Sequence, residues 1–255
     1  MTRLNRRYFL LSAVAASAGC ALRARETSVA DEPAAAVRPP LVGQSWRYAK
    51  YDLFSGALVD EQTDRVATVG DTVDIESHSE SPKDAKSASS WGAQVLRKFR
   101  GNDPTTAALP SEIQGPWGML LVDPHWGQAQ VYEAPIPLWP TQLHEGWRTH
   151  FRTHYKTPAN DVSWPWEQTM EAHSWETLTS PAGQFRALRV TSEIKFTHPD
   201  PGRTNSVRRD TMWFAPEIGR WVARESVGTY YLDDSVDDTP RNESSYRWQL
   251  LEWAK

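Results

Sequence analysis

The chain has a single cysteine, Cys20, in 255 residues. No internal disulfide can form, so the fold rests on its core, and a chain of this length buries enough surface to manage that. No apolar run reaches the roughly 20 residues that a membrane-spanning helix needs. No long stretch holds a 3.6-residue apolar period, and no repeat of solenoid length is present. Gly-x-Ser-x-Gly, His-Glu-x-x-His and phosphate-cradling glycine loops are all missing. The sequence therefore names no catalytic residue, no cofactor site and no metal site. Carboxylate pairs for sugar hydrolysis meet only in space and stay open, so the reading leans away from an enzyme without closing the question.

What is present starts at the N-terminus. Arg3, Arg6 and Arg7 precede a short apolar run that ends in Ser17, Ala18, Gly19 and Cys20, the layout of an export signal. Arg6, Arg7, Tyr8, Phe9 and Leu10 resemble the twin-arginine export motif, with Asn5 and Leu11 departing from it, so the ordinary secretory route stays open. The residues before Cys20 resemble a bacterial lipobox, which implies a lipid on Cys20; simple cleavage after Ala18 is the alternative. Ala21 at the next position implies passage to the outer membrane. The expected organisation is a signal over 1–19, a lipid-anchored flexible tether over 20–42, rich in Ala, Arg, Glu and Pro, and a single domain over 43–255. Removing 1–19 takes three of the 28 basic residues and none of the 32 acidic ones, moving the net charge from −4 to −7. That balance argues against a nucleic-acid partner and against general adhesion to anionic lipid.

Thirteen Trp, 18 Pro and 14 Gly, with aromatic runs punctuated by turn residues, favour an all-β domain with an aromatic core. Strands are expected over 44–53, 57–69, 72–78, 118–122, 147–156, 166–178, 185–196, 207–214, 221–232 and 246–253. Residues 79–90 read as a loop, 91–99 as a strand or short helix, 102–115 as irregular, and the proline-rich 134–140 as extended chain outside any ladder. The clearest signal is the alternation from 147 to 156. Trp147, Thr149, Phe151, Thr153 and Tyr155 share one face; Arg148, His150, Arg152, His154 and Lys156 share the other.

Residues 213–225 read Trp-Phe-Ala-Pro-Glu-Ile-Gly-Arg-Trp-Val-Ala-Arg-Glu. This is a hairpin: Pro216 suits an early turn position, Gly219 supplies a φ > 0 corner, and Trp221 opens the return strand. The hairpin, with Gly146-Trp147 and the closing Leu250-Leu251-Glu252-Trp253, resembles bacterial periplasmic domains of unknown function that include the pilus accessory protein TapB. That group is similar in outline to the lipoprotein carriers LolA and LolB. The resemblance implies a strongly curved antiparallel sheet, an open half-barrel or sandwich with at most short helices, and it implies no catalytic residues.

The basic stripe on 148–156 could hold an anionic head group, or could pair with Glu167, Glu171 and His173 on the following strand. His150 and His154 lie about 13 Å apart on a strand, too far for one metal ion. Asp233, Ser235 and Asp237 have the spacing of a calcium loop's start, but Gly at 238 and Glu at 244 are missing. Trp91, Trp117, Trp126, Trp139 and Trp164 fall near turn residues, where they could stack on a sugar, line a lipid cleft or plug the sheet. The composite expectation is a periplasm-facing lipoprotein that binds an apolar ligand or an envelope protein. A hydrolase of envelope polysaccharide and a structural accessory to an envelope or pilus assembly are the alternatives. Replacing Arg6 and Arg7 together by lysine keeps the charge and removes the guanidinium pair. Unprocessed precursor is expected to accumulate in pulse-labelled cells; normal processing would assign the ordinary secretory route.

Overall fold

The computed structural model describes residues 25–26, 36–80, 111–125, 129–233 and 239–255. Among them every regular element is a strand. In chain order these are β1 (Arg25–Glu26), β2 (Ser45–Asp52), β3 (Leu58–Val69), β4 (Val73–Glu80), β5 (Glu112–Gln114), β6 (Met119–Asp123) and β7 (Gln130–Pro137). They continue as β8 (Arg148–Thr157), β9 (Asn160–Ser180), β10 (Gly183–Phe196), β11 (Arg203–Ala215), β12 (Arg220–Leu232), β13 (Arg241–Asn242) and β14 (Tyr246–Ala254).

From β2 to β12 each strand pairs antiparallel with the next, and β14 joins β12 to β2, closing a twelve-stranded barrel. The pair β1 and the pair β13 lie off this ring, on β9 and β12. The strongly curved antiparallel all-β sheet is thus present, and its curvature runs past the expected half-barrel to closure. Bulges supply the bending: the register shifts between Leu188 and Val190, between Trp213 and Phe214, and between Leu250 and Glu252. Each strand of the ring is paired on both sides over at least part of its length, and stretches such as the β9 edge beyond Glu171 extend past the ring pairing.

Two local expectations are corrected. Residues 134–140 were expected outside any ladder, yet Ile136 pairs with Leu120 and Pro137 with Met119 at the end of β7. The irregular register between Val122 and Leu120 absorbs the prolines, which cannot donate to a ladder. The irregular stretch 102–115 ends in β5, a strand too short to show any alternation. The segment 91–99 lies outside the described residues, as does 81–90 of the expected loop.

The barrel has two distinct ends. β2 begins at one of them, called here the tether end; the turns at 70–72, 115–118, 181–182 and 216–219 gather there. At the far end the chain turns at 53–57, 158–159 and 197–202, and it leaves β4, β6 and β12 there. Residues 36–42, assigned to the tether by composition, lie against the tether end: the Arg38 N–H donates to the Pro216 carbonyl at 2.9 Å and, at the first residue of the expected domain, the Gly43 N–H donates to the Val66 carbonyl at 2.8 Å.

The hairpin turn after β11 closes that end. Hairpin turns usually face water, yet Ile218 is fully buried. Its carbonyl accepts the Gln44 amide at 3.0 Å and the Trp46 indole N–H at 3.1 Å. Gly219 has φ +66°, and a Cβ there would lie 3.0 Å from the Arg38 carbonyl oxygen. Trp221 is buried, stacks on Tyr48 with ring centroids 6.0 Å apart, and its carbonyl accepts the Tyr48 hydroxyl at 3.0 Å. Trp221→Ala is expected to cost about 3–5 kcal/mol, and Gly219→Val to destabilise through both the forced φ and the carbonyl clash. Chemical denaturation measures both; midpoints equal to wild type would mean that the hairpin is not packed as described.

Candidate functional site

Inside the barrel two aromatic clusters flank a file of buried charge. One cluster centres on Trp46, Trp139, Phe214 and Trp221, the other on Tyr132, Tyr155, Trp166 and Phe196. Strand alternation puts the charges there. On β11 the buried positions from Ser206 to Phe214 are Ser206, Arg208, Asp210, Met212 and Phe214, one phase of a period-two pattern. On β3 the buried positions Gln62, Asp64 and Val66 do the same.

Arg220 anchors the file. It is fully buried. Its guanidinium donates to Glu112 through two bonds, at 3.0 and 2.8 Å, and to Asp64 at 2.9 Å. It also lies over the rings of Trp221 and Trp46, at 4.2 and 5.1 Å. Asp64 accepts further bonds from Gln62 at 2.7 Å and Ser77 at 2.8 Å, and Glu112 accepts one from Gln114 at 2.6 Å. Burial alone would raise the pKa of Asp64; the Arg220 charge, His125 and these donors outweigh it and hold the carboxyl below its ordinary value. Burial works against the Arg220 charge, but Glu112 and Asp64 hold it protonated.

His125 continues the file towards the far end. Its Nδ1 donates to Asp123 at 2.8 Å, and its Nε2 lies 3.0 Å from the Gln62 amide nitrogen. Glu112 is 3.9 Å from the ring. Burial opposes the imidazolium, but Asp123, Glu112 and Asp64 outweigh it and raise the pKa above its ordinary 6.5. Asp123 is the mirror case: burial alone would raise it, and the hydrogen bond and charge of His125 hold it well below the usual carboxylate range. The Gln62 amide sets a conflict. It donates to Asp64 and, when the imidazole is neutral, to His125. A protonated Nε2 needs an acceptor there instead, so gaining the proton obliges Gln62 to turn and weaken its bond to Asp64.

Arg224 and Asp210 end the file, joined by a bond of 2.6 Å. Both line a cavity of about 40 Å³ shared with Asp123, Gln168, Trp166 and Trp221. Asp210 Oδ1 and Trp221 Nε1, both buried, have no hydrogen-bond partner among the described residues. One acceptor and one donor thus face a space with room for about three waters. The file can hold protons and small polar molecules, but it exposes no carboxylate pair to a polymer.

Cys20, Arg6 and Arg7 lie outside the described residues. So do Trp91, Trp126 and the 234–238 part of the acidic loop. The basic stripe faces outwards from β8 and pairs across to β9. Arg148 bonds to Glu171 in register; Arg152 sits 3.3 Å and His150 3.7 Å from Glu167. His154 lies 4.0 Å from Glu133, apart from His150's partners. Trp139 is buried, stacked on Phe214 at 4.7 Å, and Trp117 meets its edge at 5.2 Å, so these two plug the barrel. Trp164 packs against the second cluster. The charge file itself was not anticipated from sequence. Its signal is charge occupying the apolar phase of β3 and β11, and nothing in the sequence joins Glu112 to Arg220.

No protein-family model matches the chain, and neither does any curated protein. Two solved structures are similar in outline. One is a Bacteroides fragilis protein described as exported and as having a YmcC-like fold, 14% identical over 87% of this chain and 100% of that one, with a TM-score of 0.41. The other is a Parabacteroides distasonis protein described as a lipoprotein, 12% identical over 88% of this chain and 100% of that one, also at 0.41. Likeness of this degree assigns neither family nor function. Neither bears the TapB or the LolA/LolB name.

Because His125 has a raised folded pKa, the stability it contributes is complete below its ordinary 6.5 and is lost as pH rises through the folded value. Asp123 works in the opposite sense: its contribution is present above its ordinary 3.8 and is lost as pH falls. Stability is therefore expected to decline as pH rises from 6.5 through the raised folded pKa of His125, and His125→Asn to flatten that limb. Denaturant midpoints across this range check it; an unchanged slope in the variant would remove His125 from the network.

Proposed function

We propose that this chain is an exported, lipid-anchored protein of the bacterial cell envelope that faces the periplasm and works by binding another envelope component, not by catalysis. The observation that carries the second half is the filled barrel. A small-molecule site occupies about 300–1,000 Å³. The cavity between the two aromatic clusters is about 40 Å³. An acyl chain does not fit it, which counts against a carrier of the LolA/LolB kind. A polysaccharide does not reach Asp123 or Asp210 within it, which counts against a glycosidase.

Recognition then falls to the outer surface. The outward face of β8 is charged, with Arg148, Arg152 and His154 exposed, so the barrel wall does not present the apolar band of a membrane-spanning barrel. At the far end, Phe54 is 99% exposed on a turn that Asp52 holds by accepting the Phe54 and Ser55 N–H groups at 3.1 and 2.7 Å. A rigid turn presenting a bare aromatic ring suits contact with a protein partner. The anchoring half rests on the signal-like N-terminus and on Cys20.

Native mass spectrometry of the chain purified from membranes tests both halves. The expected mass is that of the polypeptide from Cys20 plus a diacylglyceryl group, with no acyl-chain-sized ligand retained. Cys20→Ser is expected to release the protein from the membrane fraction. A co-purifying lipid held without Cys20 would overturn the filled-barrel reading, and an unmodified Cys20 would overturn the anchor.

A further inference from the structure

We propose that the tether end of the barrel is a membrane-docking face, resting on the phospholipid surface that carries the Cys20 lipid; the proposal builds on the anchoring reading above. The first observation is chain length. Arg25 and Glu26 form β1 and pair with Thr177 and Glu176 of β9. This pairing takes up the edge of β9 beyond Glu171, where β8 has ended. Only four residues lie between Cys20 and Arg25, and the five steps, at roughly 3.5 Å each, span at most about 18 Å. A lipid on Cys20 therefore holds β1, and the barrel end it is stitched to, next to the bilayer.

The second observation is what that end displays. Leu41, Val42 and Val69 are exposed there, at 46, 65 and 45%. The Gln44 N–H donates to the Leu41 carbonyl at 3.0 Å, so Leu41 and Val42 sit on a turn that leads into β2 at this end. Two half-buried indoles near this end are paired with cations. Trp253, opposite Trp46 at the end of β14, has Arg38 at 6.0 Å and Lys255 at 5.7 Å from its ring. Trp175, on the stretch of β9 beyond β8, has Arg186 at 4.8 Å. Indoles flanked by Arg and Lys, beside small exposed aliphatics, suit the head-group layer, where one side of a residue is apolar and the other wet. Acids such as Glu217 and Asp71 are exposed at the same end, so attraction by net charge is not the basis. The far end, which carries Phe54, then points away from the membrane along the length of β2.

The test uses the lipidated full chain in vesicles of phosphatidylethanolamine and phosphatidylglycerol that include lipid with a nitroxide on its acyl chain. An environment-sensitive fluorophore is placed at Val42→Cys or, separately, at Phe54→Cys. Both positions are exposed, and the Cys20 sulfur is already alkylated. The expected result is a blue shift and nitroxide quenching at position 42, with neither at position 54. A chain that carries its lipid and floats with the vesicles but shows no quenching at 42, or equal quenching at both sites, overturns the docking face alone. Shielding of 42 from aqueous iodide without nitroxide quenching means that a protein covers this end, which also overturns it. A chain with no lipid mass that does not float overturns the anchoring reading, and the docking face with it.

Discussion

The fold depends on one buried cation. Arg220 sits at the first position of β12, immediately after a hairpin turn that buries Ile218 in the end of the barrel. Its guanidinium ties three parts of the ring together: β12, β3 through Asp64, and β5 through Glu112. Burying three charges is costly, and such a group is weak evidence of net stability when compared with an apolar replacement. Removing one partner is another matter, because an unpaired charge stays behind in a low-dielectric interior, at a cost of about 3–5 kcal/mol. The triad is therefore better understood as a constraint on arrangement. A barrel with the β11–β12 turn swung outwards leaves Asp64 and Glu112 facing each other without a cation, and Ile218 no longer offers its carbonyl to Gln44 and Trp46. The observed closure pairs both carboxylates with the guanidinium and gives the Ile218 carbonyl two donors.

The width of the barrel explains why such side chains are needed. Eight strands enclose a lumen that ordinary side chains fill, and the diameter grows with strand number. Twelve strands leave a wider space, and aliphatic residues from the wall do not meet across it. Trp, Tyr and Arg are long enough. Trp46, Trp139, Trp166, Trp221 and Trp248 are all buried inside, and Arg208, Arg220 and Arg224 lie over aromatic rings. The high tryptophan count, which on composition alone is equally compatible with sugar stacking or a lipid cleft, is at these positions a packing solution. Gly118 shows how tight it is: a Cβ there would lie 2.7 Å from the Trp139 ring. The guanidinium groups bring charge with them, and the carboxylates of β3, β5, β6 and β11 follow from that.

The wall of the barrel was legible in the sequence and its contents were not. Strict alternation from 147 to 156 announces β8, and the same pattern with short turns announces β2, β3, β9, β10, β11, β12 and β14. In each case the cause is local: side chains alternate and Gly or Pro marks the turn. Closure was not legible, because it depends on Trp253 meeting Trp46 across more than two hundred residues of chain. Glu112 was invisible because three residues cannot display a period. His125 follows β6 in a turn, where polarity is unremarkable. Arg208 and Asp210 did carry a signal, since they occupy the apolar phase of β11. A charge in the inward phase of a strand must be paired, and looking for its partner is a usable rule even when the partner cannot be named.

The two ends of the barrel differ for the same physical reason that the interior is full. At the tether end the lumen is stopped by Trp46, Trp117, Trp139 and Phe214 and by the in-turned hairpin, and exposed aliphatic side chains and half-buried indoles lie there among exposed acids such as Glu217 and Asp71. At the far end the charge file approaches the surface: the side chains of His125 and Arg224 keep 12 and 14% of their exposure. A proton can therefore reach His125 from the far end far more readily than from the plugged one. The Gln62 conflict then links that proton to Asp64, and Asp64 to Arg220 and the hairpin. The far end thus carries the most accessible titratable side chains of the file, while the opposite end is closed by packed aromatic rings.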